Sequence, residues 1–74
     1  MAKLDAAEVE VFFFIRDYSD THTHPPTVRE IAEGCYMSRT RVQRYIDLLD
    51  AHGYIIHEPG KARGITLTGK IPRL

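Results

Sequence analysis

The stretch Thr27-Val28-Arg29-Glu30-Ile31-Ala32-Glu33-Gly34-Cys35-Tyr36-Met37-Ser38-Arg39-Thr40-Arg41-Val42-Gln43-Arg44-Tyr45-Ile46 decides how this chain folds. Thr27 and Glu30 stand at the spacing of a capping box, in which each side chain satisfies an amide that the first helical turn leaves without a partner. Pro25 and Pro26 just before them bar a helix from running in, because proline lacks an amide donor and forces its predecessor out of the helical region. Val28, Ile31 and Ala32 share one face of a short helix that Gly34 can end. Cys35-Tyr36-Met37 then makes a turn, and Ser38 is a good N-cap for another helix. There Val42, Tyr45, Ile46 and Leu49 recur at spacings of three and four until Gly53 supplies a left-handed cap. Two helices joined by so short a turn form a rigid corner.

Upstream of this corner, Asp5 with Glu8 reads as a second capping box, and Leu4, Val11, Phe12, Phe14, Ile15 and Tyr18 gather on one helical face. Downstream, Tyr54-Ile55-Ile56-His57 is β-branched and aromatic, as strands prefer. Pro59-Gly60 marks a turn, and Ile65-Thr66-Leu67-Thr68 alternates as a half-buried strand does. The expected architecture is α+β, with helices over 5–21, 27–34 and 38–52 and a two-stranded hairpin over 54–68. That is a winged helix-turn-helix forming one domain over 1–74, without linker, repeat or low-complexity segment.

A corner of this kind lets its second helix project into a DNA major groove. With the apolar stripe turned inward, Arg39, Thr40, Arg41, Gln43 and Arg44 are left for the outside. Arginine is the commonest bidentate reader of guanine, and glutamine pairs with adenine in the same manner. Ser38 can offer its hydroxyl or its amide to a phosphate at the helix N-terminus, and Thr27, opening the second helix, joins the candidate DNA-binding set. Lys61 and Arg63 lie between the two strands, where a wing would reach the phosphate backbone. The expected function is sequence-specific binding of double-stranded DNA by a transcriptional regulator, a repressor. The alternative is a winged helix used for protein contact in a replication, partition or defence complex. An apolar outward face would favour that alternative, whereas this one is basic.

Formal net charge is zero, yet its distribution is lopsided. Residues 1–33 carry three basic and seven acidic residues, a net of −4, and residues 34–74 carry seven basic and three acidic, a net of +4. Such a chain can turn a basic face to phosphates while the other stays acidic. With 74 residues and one small core, the chain has no walls for a catalytic cleft, and no set of residues suggests an oxyanion hole or an acid–base pair, so an enzyme is not expected. A single cysteine, Cys35, excludes an internal disulfide and suits a reducing compartment. It reads as a small buried residue rather than a nucleophile. His22, His24, His52 and His57 lack the close paired spacing of a metal site, so no metal, cofactor or small-molecule ligand is expected. No apolar run reaches the roughly 20 residues that span a bilayer, nor does the N-terminus read as a signal peptide, so the expected location is the cytoplasm.

The run Pro25-Pro26-Thr27-Val28-Arg29-Glu30-Ile31-Ala32 resembles the PPT-x-x-EIA segment that opens the second helix of LexA-type repressor DNA-binding domains. Glu10-Val11-Phe12, Phe14-Ile15-Arg16-Asp17 and Arg63-Gly64-Ile65-x-Leu67 resemble the same family, so the likeness covers residues 4–68. Ser38-Arg39-Thr40-Arg41-Val42-Gln43-Arg44-Tyr45, with Gly53-Tyr54-Ile55, is similar to the general bacterial winged-helix pattern. The resemblance implies base or phosphate contacts at Ser38, Thr40, Arg41, Gln43 and Arg44. The turn between the motif helices is one residue shorter than in that family, and the base-reading positions carry different residues, so a different operator is implied. The 74 residues hold no serine–lysine self-cleavage module, so DNA binding without self-cleavage is expected.

Two positions break the local rules. Three successive phenylalanines cannot all face one core, and a helical projection turns Phe13, with Val9 beside it, to the outside of the first helix. That pair is a candidate homodimer surface. Tyr36 occupies the turn position that favours a left-handed residue, so either Tyr36 takes positive φ or Gly34 assumes that role.

Overall fold

The computed structural model describes residues 5–72. Three helices, α1 (Ala6–Thr21), α2 (Val28–Cys35) and α3 (Arg39–Ala51), precede two short strands, β1 (Ile55–His57) and β2 (Ile65–Leu67). The strands pair antiparallel with Ile55 opposite Leu67 and His57 opposite Ile65. This is the winged helix-turn-helix, with its hairpin following the second motif helix. Leu4, assigned to the core face of α1, and Arg73, counted in the basic half, lie outside the described residues. Among the described residues no helix is long and apolar enough to cross a membrane.

Each helix ends for a local reason. Thr27 and Glu30 close a complete capping box, Glu30 N donating to Thr27 Oγ1 at 3.1 Å and Thr27 N to Glu30 Oε1 at 2.8 Å. Ser38 Oγ accepts from Arg41 N at 3.1 Å. At the far end of α3, Gly53 (φ 82°) permits a Schellman closure in which Tyr54 N donates to Leu49 O and Gly53 N to Asp50 O. The second capping box is only half present. Asp5 accepts from Ala7 N, but Glu8 turns into the protein and meets His52 Nδ1 at 2.8 Å, its side chain 3% exposed.

The turn between the motif helices resolves through Tyr36, which lies at φ 56° and ψ 46°. Tyr36 N and Met37 N both donate to Ala32 O. Gly34 does not end α2 as its residue type suggests; it sits inside the last turn. A Cβ there would collide with the ring of Phe14, so Gly34 is what allows α2 to approach α1 so closely.

The core is built from one face of every element. Val11, Phe12 and Ile15 come from α1, Ile31, Ala32 and Cys35 from α2, Val42, Tyr45, Ile46 and Leu49 from α3, and Ile55 and Ile65 from the hairpin. Fully burying a side chain of this size is worth about 1.5–3 kcal/mol, so the inward residues of the strands anchor the hairpin to the helices. Burial first, and then the Glu10 carboxylate, push the Cys35 thiol above its ordinary pKa, away from thiolate chemistry.

The expected outward pair on α1 is corrected by the structure. Val9 is only 5% exposed, and Phe13 packs against the core with the Arg16 guanidinium 4.6 Å over its ring. The projection placed the core too far to one side of the helix. The chain beyond α3 returns across α1, where Tyr54 meets Phe12 edge-on at 5.9 Å and Phe12 meets Phe13 at 5.3 Å. The buried arc therefore centres near Glu8 and Phe12 and sweeps round to Val9. Val9 is not available as part of a dimer surface.

Candidate nucleic-acid interface

The side chains of α3 divide cleanly around its axis. Val42, Tyr45, Ile46 and Leu49 are buried, so at about 100° per residue Thr40, Gln43, Arg44 and Asp47 take the opposite side. One shallow groove runs along this side and is lined by Arg39, Thr40, Gln43, Arg44, Asp47 and Leu48, with Val28 from α2. A second adjoins it, where Arg39, Gln43 and Asp47 face Val28 and Arg29 of α2, its N-cap Thr27 and residues 59–62 of the hairpin. The corner and the wing thus bring Thr27, Arg39, Gln43 and Lys61 to one surface.

Arg41 is separated from that set. Its guanidinium lies 5.7 Å from the centre of the Tyr45 ring. The neighbouring Tyr45 first, and then the field of Asp5 and Glu10 on the α1 side, raise its already high pKa. It flanks the N-terminal end of α1 and not the groove. By contrast, Arg39 and Arg44 enter no ion pair among the described residues, which leaves their donors for an outside partner. Ser38, accepting the Arg41 amide, still has its own hydroxyl proton to give. Thr27 has its amide and its oxygen engaged in the capping box, so it is a cap first.

The wing residues also part company. Lys61 is exposed and, among the described residues, pairs only with Glu58, at 2.9 Å, a solvent-screened pair that a phosphate can displace. That hydrogen bond is the first cause of Lys61's raised and Glu58's lowered pKa. Arg63 instead is tied down. Nη1 donates to Glu30 Oε1 at 2.8 Å and to Pro25 O and His24 Nδ1, both at 2.9 Å, while Nη2 reaches Glu30 Oε2 at 3.4 Å. The Tyr18 hydroxyl donates to the same carboxylate at 2.9 Å. The Arg63 hydrogen bond first, then the Thr27 amide, hold Glu30 down at about 2. Arg63 therefore staples the hairpin to the start of α2.

Two features of this surface are missed by the sequence reading. Asp47 sits at the middle of the outward face, and Gln43 Nε2 donates to its Oδ1 at 3.0 Å. Its spacing of four from Gln43 is a signal the sequence contains. The Arg63–Glu30 staple spans 33 positions and has no local signal. The four histidines fall in three places: His22 stacks on Tyr18 at 3.7 Å with the ring of His24, which accepts from Arg63, 5.8 Å away, while His52 meets Glu8 and His57 lines the wing groove. Among the described residues no three His, Cys, Asp or Glu side chains converge as a metal cage.

The sequence profile of the LexA DNA binding domain matches residues 1–64. LexA repressor 2 of Geobacter sulfurreducens is 41% identical over 71 residues, covering 95% of this chain and 35% of that protein. The LexA repressors of Geobacter metallireducens and Geotalea uraniireducens are 37% and 35% identical, covering 93% and 96% of this chain and 35% and 36% of their own length. The chain spans about a third of the length of the relatives it matches.

Proposed function

Since the chain belongs to the LexA DNA-binding domain family, we propose that it is a sequence-specific binder of double-stranded DNA and a transcriptional repressor that works by occupying its operator. In this reading α3 lies in the major groove with Arg39, Thr40, Gln43 and Arg44 towards the base edges. Ser38 and Thr27 flank phosphates at the two helix N-termini, and Lys61 extends the contact along the backbone. Arg41 serves the edge of this footprint. The role is one of binding without catalysis, and the site of action is the cytoplasm.

One observation carries the reading: the side of α3 opposite the buried stripe holds polar donors with no ion-pair partner among the described residues, in a groove shared with the wing. The test is selection of bound duplexes from a random pool at stated salt. Enrichment of one motif is the expected result. Recovery of unselected sequence at both low and physiological salt would overturn the reading and favour the protein-contact alternative.

A further inference from the structure

A carboxylate is out of place at the centre of a surface meant for a polyanion. Asp47 repels phosphates, yet it stands between Gln43 and the outer end of α3 in both grooves. Neither Arg39 nor Arg44 forms an ion pair with it among the described residues. The contact it does make is with Gln43, whose Nε2 donates to Oδ1 at 3.0 Å.

That contact fixes more than a rotamer. A carboxylate only accepts hydrogen bonds, so Gln43 must turn its nitrogen, and not its oxygen, towards Asp47. One N–H is then committed, and the second N–H and Oε1 are left side by side as one donor and one acceptor. Adenine presents the complement in the major groove, an N7 acceptor beside an N6 amino donor. Guanine presents two acceptors, N7 and O6, so it would set O6 against Oε1. An amide held in one orientation before binding also loses less side-chain freedom when it binds.

We infer that Asp47 is a positioning residue that locks the Gln43 amide into the orientation that reads adenine, with its carboxylate disfavouring guanine at the same base pair. The inference rests on the DNA-reading role of α3 proposed above. It makes Asp47 a determinant of specificity that lowers general affinity for DNA while sharpening the choice of base.

The test is selection from a random duplex pool with the 74-residue chain and its Gln43→Ala and Asp47→Ala variants, paired with NMR of the Gln43 side-chain amide in the free proteins. The wild type is expected to enrich adenine at one position by about tenfold. Both variants should reduce that preference to about twofold, and Asp47→Ala should bind unselected duplex more tightly because a repelling charge is gone. Without DNA, the Gln43 amide should be ordered in the wild type and mobile in Asp47→Ala, a change that loss of stability elsewhere does not mimic. An unchanged adenine preference in Asp47→Ala overturns the inference and leaves DNA reading intact. Preference lost in Asp47→Ala but kept in Gln43→Ala overturns it too, by assigning the reading to Asp47 itself. A wild type without preference at any position removes the DNA-reading premise, which is a separate failure.

Discussion

The guanidinium of Arg63 sits 2.8 Å from the carboxylate of Glu30, joining the end of the wing turn to the capping box of the second helix. A residue suited by type and location to a phosphate is thereby turned inward, and the wing takes its position relative to α2 from this pair. Glu30 accepts from Arg63, Tyr18 and the Thr27 amide together, so its negative charge is stabilised more in the folded chain than in the unfolded one.

This predicts a specific acid sensitivity. The folded pKa of Glu30 lies at about 2, below its ordinary value of 4.5. A depressed carboxylate contributes stability that is complete above the unfolded pKa and is lost as pH falls through the folded one. Between pH 4.5 and 2, therefore, the stability advantage of the wild type over Glu30→Gln should shrink towards zero. Denaturant midpoints measured across that window check it. Parallel curves for the two proteins would show that Glu30 is not the group being titrated.

Tyr36 holds a left-handed conformation with 94% of its surface exposed. A non-glycine residue there carries strain of about 1–2 kcal/mol, and so exposed a ring has little packing to lose. Tyr36→Gly should stabilise the free chain by about 1 kcal/mol, raising Tm by about 4–8 °C for a domain of this size. A lower Tm in calorimetry would mean that the ring makes contacts that offset its backbone.

Val9 tests how far the core extends around α1. Since it is 5% exposed, Val9→Ala should destabilise the chain by about 1.5–3 kcal/mol, from lost transfer energy and the cavity left behind. A change below about 0.5 kcal/mol, the range of ordinary surface substitutions, would return Val9 to the outside of the helix.

On DNA, the arginines of α3 should not be equivalent. Arg44→Ala is expected to cost about 1–3 kcal/mol at the selected site and to relax preference at one base pair. Arg41→Ala, beside Tyr45 and facing the acidic start of α1, should cost less and leave preference intact. Lys61→Ala should flatten the dependence of log K on log salt by about 0.9, the effect of one phosphate contact. Binding titrations at several salt concentrations measure all three. A larger loss of specificity from Arg41→Ala than from Arg44→Ala would reverse the assignment of the outward face.

Much of this protein is written in short-range sequence. Pro25-Pro26 and the Thr27–Glu30 box start α2, Ser38 starts α3, and Gly53 stops it, because caps act on amides and carbonyls within a few residues of themselves. The stripe Val42, Tyr45, Ile46 and Leu49 gave α3 its inward side, and the remainder of that helix gave the candidate reading face. The positive φ at Tyr36 was one of two outcomes the turn allowed. The tertiary structure decided what each side chain meets. Glu8 left its expected cap for His52, 44 positions away, Arg63 turned from the wing surface to Glu30, and Arg41 lies over Tyr45 outside the groove along α3. Val9 is buried although it stands outside the main core cluster, and Phe12 meets Tyr54 from the chain after α3. A helical period fixes the angle between side chains on one helix; which arc is covered depends on neighbours distant in sequence, and a buried or paired charge finds its partner only once those neighbours have packed.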